Sequence, residues 1–66
     1  MQIVLNGQDT QVISQCSITK ILEVLELQSQ RVAVEVNQEV IPRAEHKSFL
    51  LSSGDLVEII QAVGGG

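Results

Sequence analysis

The chain has no tryptophan and no tyrosine, and Phe49 is its one phenylalanine. Single-stranded nucleic-acid platforms stack bases on aromatic rings above a basic groove, so that class is disfavoured from the outset. Basic residues are also scarce. Four Lys and Arg face eight Asp and Glu, a formal net charge of −4, which repels a phosphate backbone and an anionic membrane surface alike. The expected partners include no nucleic acid and no membrane.

Cysteine occurs once, at Cys16, so no internal disulfide can form and a stapled secreted scaffold is excluded. No run approaches the ~20 apolar residues of a membrane span, and residues 1 to 15 hold no apolar stretch of signal-peptide length. The expected location is cytoplasmic. His46 is the single histidine, which excludes a metal site built on histidines, and no cysteine pair supplies zinc-ligand spacing. It reads as a solvated loop residue beside Lys47. No serine has a histidine and acid arranged as a triad, and the chain is not expected to be an enzyme.

What the sequence does have is aliphatic. Apolar residues form 44% of 66 positions, in a chain whose size buries only about 60% of its unfolded surface. The core must therefore be built efficiently from Ile, Val and Leu.

"QIVL", "NG" and "QDTQVI" read as a hairpin, because Asn6 and Gly7 tolerate the positive φ of a primed two-residue turn. "SITKILEVLEL" puts Ile18, Ile21, Leu22 and Leu25 on one helical stripe, with Ser17 as N-cap and an end close to Leu27. "RVAVEV" alternates as a half-buried strand through Val32, Val34 and Val36. Asn37 and Gln38 turn the chain into a short strand, Val40 and Ile41, which Pro42 ends. One helical turn fits Ala44 to Lys47, and Ser53, Gly54 and Asp55 make a turn. "LVEIIQAV" then reads as a long strand with Val57, Ile59 and Val63 on one face and Leu56, Glu58, Ile60 and Ala62 on the other. Beyond it stand Gly64, Gly65 and Gly66.

One helix covers one face of a sheet, so the order implies a two-layer α+β sandwich. The last strand carries apolar residues on both faces, as a central strand does. Set beside the first strand, it brings Ile3, Leu5, Val57 and Ile59 under the helix.

Cys16 admits two readings. A thiol before a helix start could be a redox or sulfur-accepting group, if cations lower its pKa. With Ser17 as cap, however, Cys16 and Ile21 have the N′ and N4 spacing of a hydrophobic staple, and this reading is preferred.

The element order, the "SSGDLVEII" entry to the last strand and the diglycine end resemble the ubiquitin-like β-grasp sulfur carriers. Within them, "VAVEVNQEVIPR" and "AVGGG" look like the thiamine-biosynthesis carriers, the ThiS family. The resemblance covers the whole chain and departs from the family pattern at "AEHKSF", where an aromatic is more usual. It implies a mixed sheet of four to five strands on one helix, with residues 1–63 as the β-grasp domain and 64–66 as a flexible glycine tail.

It also implies a chemistry. A ThiF-like adenylyltransferase, using ATP and Mg, activates the Gly66 carboxylate. A sulfur donor such as a cysteine desulfurase persulfide converts it to a thiocarboxylate, and a ThiG-like thiazole synthase receives the sulfur. The chain itself binds no cofactor in this scheme. Gly64 and Gly65 thread the partner sites, since glycine lets backbone pass close to other groups. Ile60, on the face away from the helix and placed beside Val4 and Ala62, is an expected partner contact together with those two residues and Arg43. Glu35, Glu39 and Glu58 read as solvated surface that favours basic partners. Two alternatives keep the carrier chemistry or the tail: a molybdopterin-synthase small subunit or a ubiquitin-like modifier. A third, of another class, is a β-grasp interaction domain whose glycines are only an end.

Overall fold

The computed structural model describes residues 1–61. The expected strand end at Ala62 and Val63, the domain boundary after 63 and the glycines 64–66 lie outside the described residues.

Among the described residues five strands and one helix follow in order: β1 (Gln2–Leu5), β2 (Gln8–Gln11), α1 (Ile18–Val24), β3 (Val32–Val36), β4 (Glu39–Val40) and β5 (Leu56–Gln61). A 3₁₀ turn at Arg43–Glu45 precedes β5; the sequence places this turn one to two residues later. The sheet order is β2-β1-β5-β3-β4. β1 and β5 run parallel, whereas the β1–β2, β3–β4 and β3–β5 pairs are antiparallel. The last strand is therefore central, and the mixed sheet on one helix is the β-grasp arrangement.

Both hairpins turn through the left-handed region. Asn6 and Gly7 have φ of +50° and +83°, and Asn37 and Gln38 have φ of +52° and +69°. The second turn uses no glycine, and the Asn37 side chain compensates it. Its Nδ2 donates to Asp55 Oδ1 at 3.1 Å, and its Oδ1 accepts from the Leu56 backbone N–H at 3.0 Å. A residue chosen for a tight turn also fixes the start of β5.

The helix begins as its sequence suggests, with Ser17 Oγ accepting from Lys20 N–H at 3.0 Å. It ends earlier than the apolar stripe suggests. Leu25 is the C-cap, and Glu26 takes φ of +60°. Glu26 N–H then donates to Glu23 O at 3.0 Å and Leu27 N–H to Leu22 O at 2.7 Å. Those two bonds are a Schellman motif, here closed by a glutamate in the position that glycine usually fills. As a result Leu25 turns outward, 40% exposed, and Leu27 packs against the core in its place.

The core consists of Ile3, Cys16, Ile18, Ile21, Leu22, Val34, Val36, Ile41, Leu51 and Val57. Strand β4 is Glu39–Val40 rather than Val40 and Ile41. Ile41 has instead entered the core, its N–H donating to Val34 O at 2.9 Å.

His46 overturns its expected place in a solvated loop. It is 6% exposed, and its Nε2–H donates to the Ile41 carbonyl at 3.0 Å. Its own carbonyl accepts from Thr19 N–H at 3.1 Å. The buried ring thus supplies a donor to the carbonyl that immediately precedes Pro42.

Candidate functional site

Strand β5 is gripped from both sides until its last turn of pleat. On one side Val4 N–H donates to Asp55 O at 2.9 Å and Asn6 N–H to Val57 O at 2.8 Å. The Asn6 side-chain oxygen then accepts from Ile59 N–H at 2.9 Å. On the other side β3 pairs with β5 over five positions, from Val36 opposite Val57 to Val32 opposite Gln61. Gln61 is thus anchored in the sheet, and Gly66 lies five residues further along the chain. Five extended residues reach about 17 Å at most.

The register fixes what shares the face away from the helix. Val4 stands opposite Leu56, Asp9 opposite Val4, Glu35 opposite both Glu58 and Val40, and Ala33 opposite Ile60. Leu56 and Ile60 are about half exposed, and Val40 is 64% exposed. Val4 is half-buried. These side chains form a face of aliphatic groups crossed by carboxylates.

Two expected partner contacts, Val4 and Ile60, lie on that face but are not neighbours. Ile60 was expected beside Val4; the parallel register gives Val4 the neighbour Leu56 instead, four residues nearer the start of β5. Ile60 pairs with Ala33. Ala62 is outside the described residues, as are Gly64, Gly65 and Gly66. Arg43 is exposed, and it lines a hollow of about 350 Å³ with Arg31, Val32, Ala33, Ile60 and Gln61. The sequence reading missed Arg31, Leu56 and Val40. Leu56 and Val40 were legible as outward positions of their strands, whereas the placement of Arg31 depends on the β3–β5 register.

Cys16 behaves as the staple reading expects. It is buried in the core cluster with Ile21, and burial raises its thiol pKa, outweighing the Lys20 charge, which acts in the opposite direction. A protonated, enclosed thiol is a poor nucleophile. Among the described residues, no group of three or more His, Cys, Asp or Glu is placed to hold a metal ion, and no helix is long and apolar enough to cross a membrane.

Comparison with known proteins agrees with this geometry. The ThiS family model matches residues 3–66. The crystal structure of the thiamine biosynthesis protein ThiS from Geobacter metallireducens superposes with a TM-score of 0.85 at 32% identity, covering 100% of both chains. The sulfur carrier protein ThiS of Escherichia coli is 29% identical over 66 residues, again across 100% of both chains. A thiazole synthase from Paramagnetospirillum magneticum is 32% identical over 66 residues; the whole chain aligns, but it spans only 20% of that longer protein. With its helix on a five-stranded sheet, its central last strand and a family match that runs through Gly66, the chain belongs to the ThiS family, the sulfur carriers of thiamine biosynthesis.

Proposed function

We propose that this chain carries sulfur as a thiocarboxylate on Gly66 and delivers it to a thiazole synthase. The observation that carries the reading is the extent of the family match, which reaches Gly66 itself, on a chain whose central strand is held in the sheet up to Gln61.

A carboxylate resists attack because its charge is delocalised and oxide is a poor leaving group. In the proposed sequence, a ThiF-like adenylyltransferase with ATP and Mg joins the Gly66 carboxylate to AMP and releases pyrophosphate. The terminal sulfur of a donor persulfide attacks the acyl carbon, and AMP leaves. A thiol then cleaves the S–S bond, becoming a disulfide and freeing the thiocarboxylate. The enzymes supply the catalytic groups, and the carrier supplies the acyl group and the surface that presents it. Gly64 and Gly65 allow close passage because no Cβ obstructs the path.

The outward face carrying Val4, Leu56 and Ile60 is the proposed docking surface, with Arg43 at its tail end. Aliphatic side chains grouped on an open sheet face suit a contact site. The similarity of the whole chain to one fifth of a thiazole synthase supports a thiazole synthase as acceptor over a molybdopterin-forming enzyme or a protein to be tagged. A cytoplasmic location, where ATP and thiols are supplied, belongs to the same proposal.

One added residue after Gly66 tests the reading against a plain interaction domain. Loss of growth without thiamine is expected, with folding unchanged; normal growth would sink the carrier reading.

A further inference from the structure

The chain is acidic overall, yet both of its arginines line one hollow. Arg31 immediately precedes Val32, the residue that pairs with Gln61, so it sits at the sheet end from which the chain leaves β5. Arg43 reaches the same hollow from the 3₁₀ turn. That turn is tied down from two directions: His46 N–H donates to Arg43 O at 3.1 Å, and the buried His46 ring donates to Ile41 O at 3.0 Å. Thr19 N–H, in the first turn of α1, holds the His46 carbonyl at 3.1 Å. Arg43 is therefore mounted on a fixed turn.

None of the described residues that line the hollow is acidic: Glu45 follows Arg43 by two residues in the 3₁₀ turn, and the outward-face carboxylates stand further along the sheet. Glu35 and Glu58 oppose each other in mid-sheet, and Asp9 stands across β1. Glu58 and Gln61 are three residues apart, about 10 Å along a strand. Glu58 thus stands about one Debye length at physiological salt from the sheet end that Gln61 marks.

We propose that Arg31 and Arg43 form a cationic collar at the root of the tail, and that it docks on carboxylates at the mouth of the channel into which the activating enzyme draws Gly66. The proposal rests on the carrier reading and names the surface chemistry of its partner. Nucleotide phosphates belong at the far end of the tail, up to about 17 Å from Gln61. The groups that meet the collar are those at the channel entrance. Guanidinium forks pair with carboxylates through two parallel hydrogen bonds, which fix orientation as well as position. Together with the mid-sheet carboxylates, the collar sets which way round the carrier lies and directs the tail inward.

The test measures calorimetric binding to the cognate ThiF-like adenylyltransferase at low and high salt, using wild type, R31E/R43E, R31K/R43K and a chain lacking Gly66. Mass measurement of sulfur transfer is run on the same samples. R31E/R43E is expected to bind about tenfold or more weakly, a loss equivalent to about 1.4 kcal/mol, with reduced salt dependence and unchanged melting. R31K/R43K should fall between it and wild type, and the chain lacking Gly66 should bind with the full salt dependence. Binding of R31E/R43E within twofold of wild type overturns the collar, whatever happens to sulfur transfer. Arginine-dependent binding of a wild type that gains no sulfur instead overturns the carrier reading and keeps the collar. A wild type that does not bind overturns both.

Discussion

The buried imidazole of His46 donates a hydrogen bond from Nε2 to the Ile41 carbonyl at 3.0 Å, joining the chain after Pro42 to the chain before it. Replacing it with alanine removes the donor, leaves a buried carbonyl without its partner and opens space beside the core. The H46A variant is expected to lose about 1–3 kcal/mol of unfolding free energy. Urea denaturation checks this, and a loss below half a kilocalorie would show that water replaces the ring (roughly the surface-substitution range).

Asn37 separates conformation from hydrogen bonding. N37A loses both side-chain bonds, to Asp55 and to Leu56 N–H, and places a Cβ at φ of +52° without compensation. N37G loses the same bonds but removes the backbone strain. The alanine variant should be less stable than the glycine variant by about 1 kcal/mol, and both less stable than wild type. Equal stability of N37A and N37G would mean that the turn carries no strain.

Cys16 gives a pH dependence with a defined sign. Its thiol pKa is raised in the fold because burial disfavours the thiolate. The folded chain therefore holds its proton at pH values where the unfolded chain has released it, and stability falls as pH rises through and above the ordinary thiol range. C16A should flatten that decline. Iodoacetamide labelling of native protein at neutral pH should be slow and limited by opening of the fold; rapid labelling would contradict the buried position.

On the outward face, I60E changes no core contact, since Ile60 is half exposed opposite Ala33. Its stability should stay within about 0.5 kcal/mol of wild type, while transfer of sulfur should show a raised KM for the carrier. An unchanged KM would remove this face from the docking surface.

The parts of the structure that were legible in the sequence were those set by local pattern. Asn6 and Gly7 announce their turn, Ser17 its cap, and the Val32, Val34, Val36 alternation its buried face. The apolar residues on both sides of β5 reveal a central strand. The turn at Glu26 is not legible, because a non-glycine residue in the left-handed region has no compositional signature, and so periodicity sets Leu25 on the stripe while the structure packs Leu27 there. The burial of His46 is not legible because its ring reaches back past Pro42 to the Ile41 carbonyl, a contact that no periodic pattern specifies. The neighbours of Ile60 and the grouping of Arg31 with Arg43 depend on strand register and on the path after Pro42, neither of which periodicity specifies.

The central claim concerns one atom of Gly66. Incubation with the adenylyltransferase, ATP, Mg and a persulfide donor, followed by fragmentation of the intact chain in a mass spectrometer, locates any incorporated sulfur. The expected result is exchange of one oxygen for sulfur, confined to the fragment that ends at Gly66. No mass gain, or sulfur carried on the fragment containing Cys16, would contradict it.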